Sequence, residues 1–235
     1  MTIEKNKLLI MLKENKITED DYTLLLNALE NQDAKRTIFS LLINPFQKIA
    51  GLKALIIGMI VIICLSMLGA YANVYFTGIL DCLNAANLKH THASRPNFYL
   101  LLAQNSINWI VLSTIFITVT ILFKQKRIRI IDFLGTVALA RFPYIVLSAF
   151  IALVWIMQPS LLDFDLTKPT FQYKPAFPAI LIDFMWQFCY AWQITTYFFA
   201  FKESSGLNGT KLWFGFVISL FIADQIAHPI NFYLV

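Results

Sequence analysis

The stretch IRIIDFLGTVALARFPYIVLSAFIALVW, Ile128 to Trp155, decides the fold. A basic edge leads into roughly 23 mostly apolar residues, which at about 1.5 Å per residue reach across a ~30 Å hydrocarbon layer. That run carries one arginine, Arg141, and one proline, Pro143. An arginine near the bilayer centre costs roughly 2.5 to 3.5 kcal/mol, and a proline leaves a backbone carbonyl without its usual donor. Both demand protein or water around them. The stretch therefore reads as a membrane helix with a defect in it, placed centrally among others.

Composition agrees. Hydrophobic residues make up 58% and charged residues 14% of the 235 positions, whereas a soluble domain carries about 25% charged residues. Twenty-one Phe, nine Tyr and five Trp suit lipid-facing and interfacial surfaces. The net charge of +5 lies in short segments beside apolar runs rather than on one patch, which argues against nucleic acid and for membrane orientation. Cys64 and Cys189 fall inside apolar runs and Cys82 just after one, with no CxxC spacing, so neither a disulfide framework nor a zinc site is indicated. The first forty residues are polar and helical in pattern, so the first membrane helix is expected to act as an uncleaved insertion signal.

Outward from the central stretch, the pattern predicts an all-α polytopic membrane protein: five transmembrane helices behind a short amino-terminal cytoplasmic helical hairpin. The hairpin occupies 1–33. Thr18 is the expected N-cap with Asp21 three residues on, and Ile17 and Tyr22 form a hydrophobic staple. Tyr22, Leu25, Leu26 and Leu29 make a stripe facing Leu8, Leu9 and Leu12. Residues 34–53 read as a basic amphipathic segment in the headgroup plane, interrupted at Asn44-Pro45. The membrane domain, 54–235, holds spans at about 54–80, 98–123, 133–157, 177–201 and 212–234. Between spans two and three, Lys124, Lys126, Arg127 and Arg129 form the strongest basic cluster. With the amino end inside, the internal loops hold these four plus Lys202 and Lys211. The external loops hold Lys89, Arg95, Lys168 and Lys174. The balance predicts the amino end in the cytoplasm and the carboxyl end outside.

Four ionisable groups lie within the spans: Arg141, Asp183, Asp224 and His228. Measured from the cytoplasmic face, rise arithmetic puts them at about 12, 27, 18 and 24 Å respectively. That depth order predicts two pairs, Arg141 with Asp224 and Asp183 with His228, between spans three, four and five. Asp224 and His228 are four apart and share a face. Such groups are either a polar path or packing glue. Gln104, Asn105 and Asn108 in span two need helix or water partners and could add to the lining. His90-x-His92, with Asp81 and Asp163 to Asp165, could assemble a metal site, but spacing fixes no third ligand, and no metal or other cofactor is assigned. Asn208-Gly-Thr210 reads as a tight turn rather than a glycosylation acceptor. The chain has no phosphate-binding glycine loop, HExxH or GxSxG, and no enzyme is expected.

The amino-terminal segment resembles short two-helix elements of the pattern LLKxGxITxEEYxxLLxAL, found at the ends of bacterial proteins and thought to mediate association. The membrane part, about Phe39 to Leu234, resembles the Yip1 domain family: a segment with Asn44-Pro45 before the first span, five closely spaced spans, and a third span with small residues and a proline, Thr136 to Pro143. The stretch WQITTYFFAFKESSGLNGTKLWFG, Trp192 to Gly215, supplies the family's aromatic, basic and Gly206 positions. Arg141 departs from the pattern, standing where a small or polar residue is usual. The resemblance implies a membrane scaffold or organiser without catalytic residues. Eukaryotic relatives bind prenylated GTPases, but their acidic and aromatic cytoplasmic motifs are missing here, and the short hairpin favours a bacterial member in the inner membrane. Partners are then the bilayer, unnamed membrane or cytoplasmic proteins and a possible second copy. The competing class is a small transporter or channel using the four buried ionisable groups.

Overall fold

A computed structural model describes residues 11–12, 17–19, 21–26, 42–80, 83–84, 96–123, 128–157 and 177–234. The chain divides into two units, Met1–Pro45 and Phe46–Val235.

In the first unit, residues 21–26 are helical, and the predicted start signal is present. The Asp21 backbone N–H donates to Thr18 Oγ1 at 3.2 Å. The Asp21 carboxylate accepts from the Thr18 N–H at 3.3 Å and from its hydroxyl at 2.7 Å. This reciprocal cap satisfies donors that the first turn leaves orphaned. Of the expected stripe, Leu25 is 43% exposed, and Leu8, Leu9 and Leu29 lie outside the described residues.

The described residues of the second unit are helical apart from one short ribbon and its turns. We label its helices α1 (Gly51–Ala72), α2 (Phe98–Leu122), α3 (Ile130–Leu139), α4 (Phe142–Met157), α5 (Phe177–Ser205) and α6 (Gly209–Phe232). Among the described residues, four stretches are long and apolar enough to cross a membrane: α1, α2, the α3–α4 run Ile130–Val154, and α6. The α3–α4 run is the most enclosed, 61% buried against 33% to 39% for the others, as expected for the stretch holding Arg141.

Two boundaries differ from the sequence reading. The first span was expected over 54–80 but ends at Ala72. Asn73 takes a left-handed conformation, φ 59°, and its N–H closes on Gly69 O. Asparagine is the side chain other than glycine that adopts this cap most readily. Val74–Tyr75 (β1) then pairs antiparallel with Leu83–Asn84 (β2), Val74 opposite Asn84. Residues 74 to 79 are all buried without being helical. The third span is likewise two helices, broken at Ala140 and Arg141. Pro143 falls in the first turn of α4, where its missing N–H breaks no helical bond.

Close packing of α1 on α3 fixes the frame for the site. A Cβ on Gly58 would lie 2.5 Å from Ala138 Cβ and 2.7 Å from Leu139 N, and one on Gly135 would lie 2.8 Å from Gly51 O. Only hydrogen fits at these contacts, the small-residue packing that membrane helices use. Helix α2 packs against α1, α3, α5 and α6, and α6 rests mainly on α2. Gly206, φ 64°, ends α5, its N–H on Lys202 O at 3.1 Å.

Candidate functional site

At the break between α3 and α4, the loosened turn leaves Ala140 O without a helical donor, and α5 supplies two. Gln193 Nε2 and the Thr196 hydroxyl both donate to Ala140 O at 2.9 Å. The next residue is Arg141, wholly buried. Its Nη1 donates to Tyr197 Oη at 3.1 Å and its Nη2 to Asn105 Oδ1 at 2.8 Å. Asn105 is held in turn by donating from Nδ2 to Ser66 Oγ at 3.1 Å. The guanidinium carbon lies 5.9 Å from the Phe76 ring centre and 5.7 Å from that of Tyr144, within cation–π range. Arg141 therefore touches α2, α4 and α5 through side chains and the irregular segment through Phe76, and reaches α1 only by way of Asn105 and Ser66.

That segment, Val74 to Leu80, has no helical ladder of its own, so its backbone groups need outside partners. Side chains provide them. Phe76 N–H donates to Gln104 Oε1 at 3.1 Å, and Asn108 Nδ2 donates to Phe76 O at 3.1 Å and Gly78 O at 2.9 Å. Ile79 N–H and Leu80 N–H donate to Asp224 Oδ1 at 3.0 and 3.4 Å. The Tyr144 hydroxyl donates to Leu80 O at 2.7 Å. Asn231, in the last turn of α6, ties this together: its Nδ2 donates to Asn108 Oδ1 at 2.7 Å, and its carbonyl accepts from Gln104 Nε2 at 3.5 Å.

Arg141 and Asp224 thus face the same segment without forming the ion pair expected of them. The one ion pair among the described residues is Arg129–Asp132 at 3.5 Å. Asp224, half-buried, accepts backbone N–H groups instead. His228, four residues on, lies with its ring 6.3 Å from that of Phe232, nearly parallel. Asp183 belongs to α5, but its side chain lies outside the described residues. Fourteen residues before Tyr197 on one helix, it sits about 21 Å along the axis from the Arg141 contact. The sequence therefore located two members of the centre, Arg141 and Asp224. It gave Gln104, Asn105 and Asn108 a secondary role, although all three are completely buried at its heart.

Tyr144, Tyr197, Gln193, Thr196, Asn231 and the segment itself were missed. The available signal was Asn73 and Gly78, two helix-ending residues inside an uncharged run longer than one span needs. His90, His92, Asp81, Asp163 and Asp165 lie outside the described residues.

These helices and their enclosed polar centre define the class: a helical, multi-pass membrane protein. Compared with known proteins, the chain matches no family model, no curated protein and no solved structure.

Proposed function

We propose that this chain is an integral membrane organiser of the Yip1 type, binding protein partners through its amino-terminal hairpin and its helix faces, without catalysis. One observation carries the reading. The amino-terminal unit leaves Leu24 and Leu25 69% and 43% exposed, an apolar ridge of the kind that a protein partner covers. The membrane unit supports the same view, because Arg141, Gln104, Asn105 and Asn108 are fully buried and bonded to their own chain. A closed polar centre serves helix packing rather than passage.

In this reading α5 is also a span, the fourth of five in chain order. Its 29 residues reach about 43 Å. It is less apolar than the others because it carries Trp186, Gln187, Tyr190, Trp192 and Gln193, residues that suit interfaces and helix contacts. The starts of α1 and α3 adjoin at Gly51 and Asp132. The end of α5 adjoins α3 through Ser204 and Thr136 at 2.7 Å, and the start of α6 adjoins the end of α2 through Gly215 and Phe123. Lys53, Arg129, Lys202 and Lys211 belong to those ends, which by the positive-inside rule face the cytoplasm. The amino end then lies on the cytoplasmic side of a bacterial inner membrane and the carboxyl end outside.

A second reading, a small transporter or channel, is favoured by a different observation. A broken span and a non-helical segment meet at Arg141, as the discontinuous helices of transporters meet at their sites. Crosslinking in native membranes followed by mass spectrometry separates the two. The organiser reading expects a reproducible partner set that disappears with Leu24→Lys plus Leu25→Lys. An unchanged partner set in that variant, together with solute flux lost in Arg141→Gln, would give the second reading the field.

A further inference from the structure

We propose that Arg141 holds a small inorganic anion of chloride size, enclosed among the helices, as its counter-charge. The inference stands apart from the organiser reading, since it concerns what neutralises the centre and not what the hairpin binds. A guanidinium stays protonated at any pH a protein survives, and this one is 0% exposed. Its two bonded partners, the Asn105 amide oxygen and the Tyr197 hydroxyl, are both neutral. Among the described residues no carboxylate lies within ion-pairing distance of it. Asp224 gives its Oδ1 to the Ile79 and Leu80 N–H groups. Asp132 is engaged by Arg129, nine residues and about 13 Å of helix away. The charge of Asp224 is felt at the Tyr197 hydroxyl, but no carboxylate among the described residues touches the guanidinium, so the buried charge lacks a contact partner, which is costly inside a membrane.

The missing partner has an address. Arg141 Nε–H is buried with no acceptor among the described residues. The Thr77 hydroxyl is also buried with no partner among the described residues. It follows directly on Phe76, whose ring lies over the guanidinium. The same place is the amino end of the 16-residue helix α4, where the aligned peptide dipoles add positive potential. An anion at Arg141 Nε would accept its N–H, lie at that helix end and balance the charge. A water molecule would satisfy the N–H and leave the charge. Size is limited by enclosure: Arg141, Phe76, Tyr144, Tyr197 and Asn105 are each 0% or 1% exposed, so neither a lipid headgroup nor an organic acid reaches Nε from outside.

The test uses the full chain, purified throughout either in sodium chloride or in sodium gluconate at equal ionic strength and held in zwitterionic nanodiscs. Wild type should melt at a higher temperature in chloride, with Tm rising by a constant step for each tenfold increase once the site is filling. Asn105→Asp places a carboxylate where Asn105 Oδ1 now lies, 2.8 Å from Nη2, and should abolish the chloride dependence while keeping the gluconate sample folded. Crystals grown in bromide supply a readout on the unmodified chain: an anomalous peak beside Arg141 Nε. Equal Tm in chloride and gluconate with no bromide peak would overturn the proposal in favour of a bound water. Chloride dependence that persists in Asn105→Asp would overturn it as well, by assigning the anion to another place.

Discussion

Replacing Asp224 by alanine or by asparagine should have unequal effects, and the inequality tests how the centre is built. Alanine removes the acceptor for two backbone donors, Ile79 N–H at 3.0 Å and Leu80 N–H at 3.4 Å. A buried donor left without a partner costs about 1–3 kcal/mol. The longer bond is the weaker, so we expect a loss of about 2–4 kcal/mol for the pair. Asparagine retains a carbonyl oxygen at the same place. A charge-assisted bond is about twice as strong as a neutral one, so Asp224→Asn should lose only about 1 kcal/mol. If the carboxylate served chiefly to neutralise Arg141, asparagine would fail almost as badly as alanine. Unfolding in mixed detergent micelles gives the stabilities, and hydrogen exchange over residues 76–80 reports the segment directly. Near-equal losses in the two variants, or no acceleration of exchange in Asp224→Ala, would refute the backbone-acceptor role.

Other perturbations probe separate parts of the molecule. Tyr144→Phe keeps the ring near Arg141 but removes the donor to Leu80 O, so it should cost about 1 kcal/mol and speed exchange in the same segment. Gly58→Ala pushes a methyl to 2.5 Å from Ala138 Cβ; overpacking of about 1–3 kcal/mol should outweigh the helix propensity gained, and lower Tm. In the amino-terminal unit the Thr18 hydroxyl and N–H hold the Asp21 carboxyl below its ordinary value. A depressed folded-state pKa stabilises the helix start above the unfolded value of about 3.9 and loses that effect as pH falls through the folded one. Carboxyl NMR titration should find the depression in wild type and its removal in Thr18→Ala. Deleting α6 takes away Asp224 and Asn231 together, so the shortened chain should insert yet lose protection of residues 76–80 in exchange experiments.

What the sequence disclosed and what it hid divide along a physical line. Long apolar runs have few ways to exist in lipid, so α2, the α3–α4 run and α6 were readable within a few residues, while α1 was read correctly at its start but ends at Ala72 rather than at residue 80. Thr18 and Asp21 were readable because a cap is local, made by residues three apart. The centre was only partly readable. Depth arithmetic brought Arg141 and Asp224 to similar levels, but depth along a helix says nothing of which way a neighbouring backbone runs. The segment from Val74 to Leu80 is as apolar as a helix, and the partners that hold it come from 28 to 145 positions away. Asn73 and Gly78 were the available hints, each ordinary alone.

The separation of the two ionic groups follows from that segment. Had Arg141 and Asp224 paired directly, the Ile79 and Leu80 N–H groups would have lost their acceptor, and a buried ion pair regains little over its desolvation. Placing Asp224 on the backbone satisfies two donors with one oxygen, while Asn108 satisfies two carbonyls with one amide group. A continuous helix through 74–80 would need none of these side chains, because it closes its own hydrogen bonds. Helices α2, α4 and α6 instead contribute Gln104, Asn108, Tyr144, Asp224 and Asn231 to one irregular turn of chain. The polar centre therefore serves the shape of this segment first, and Arg141, held beside it by neutral partners, is left to find its charge balance elsewhere.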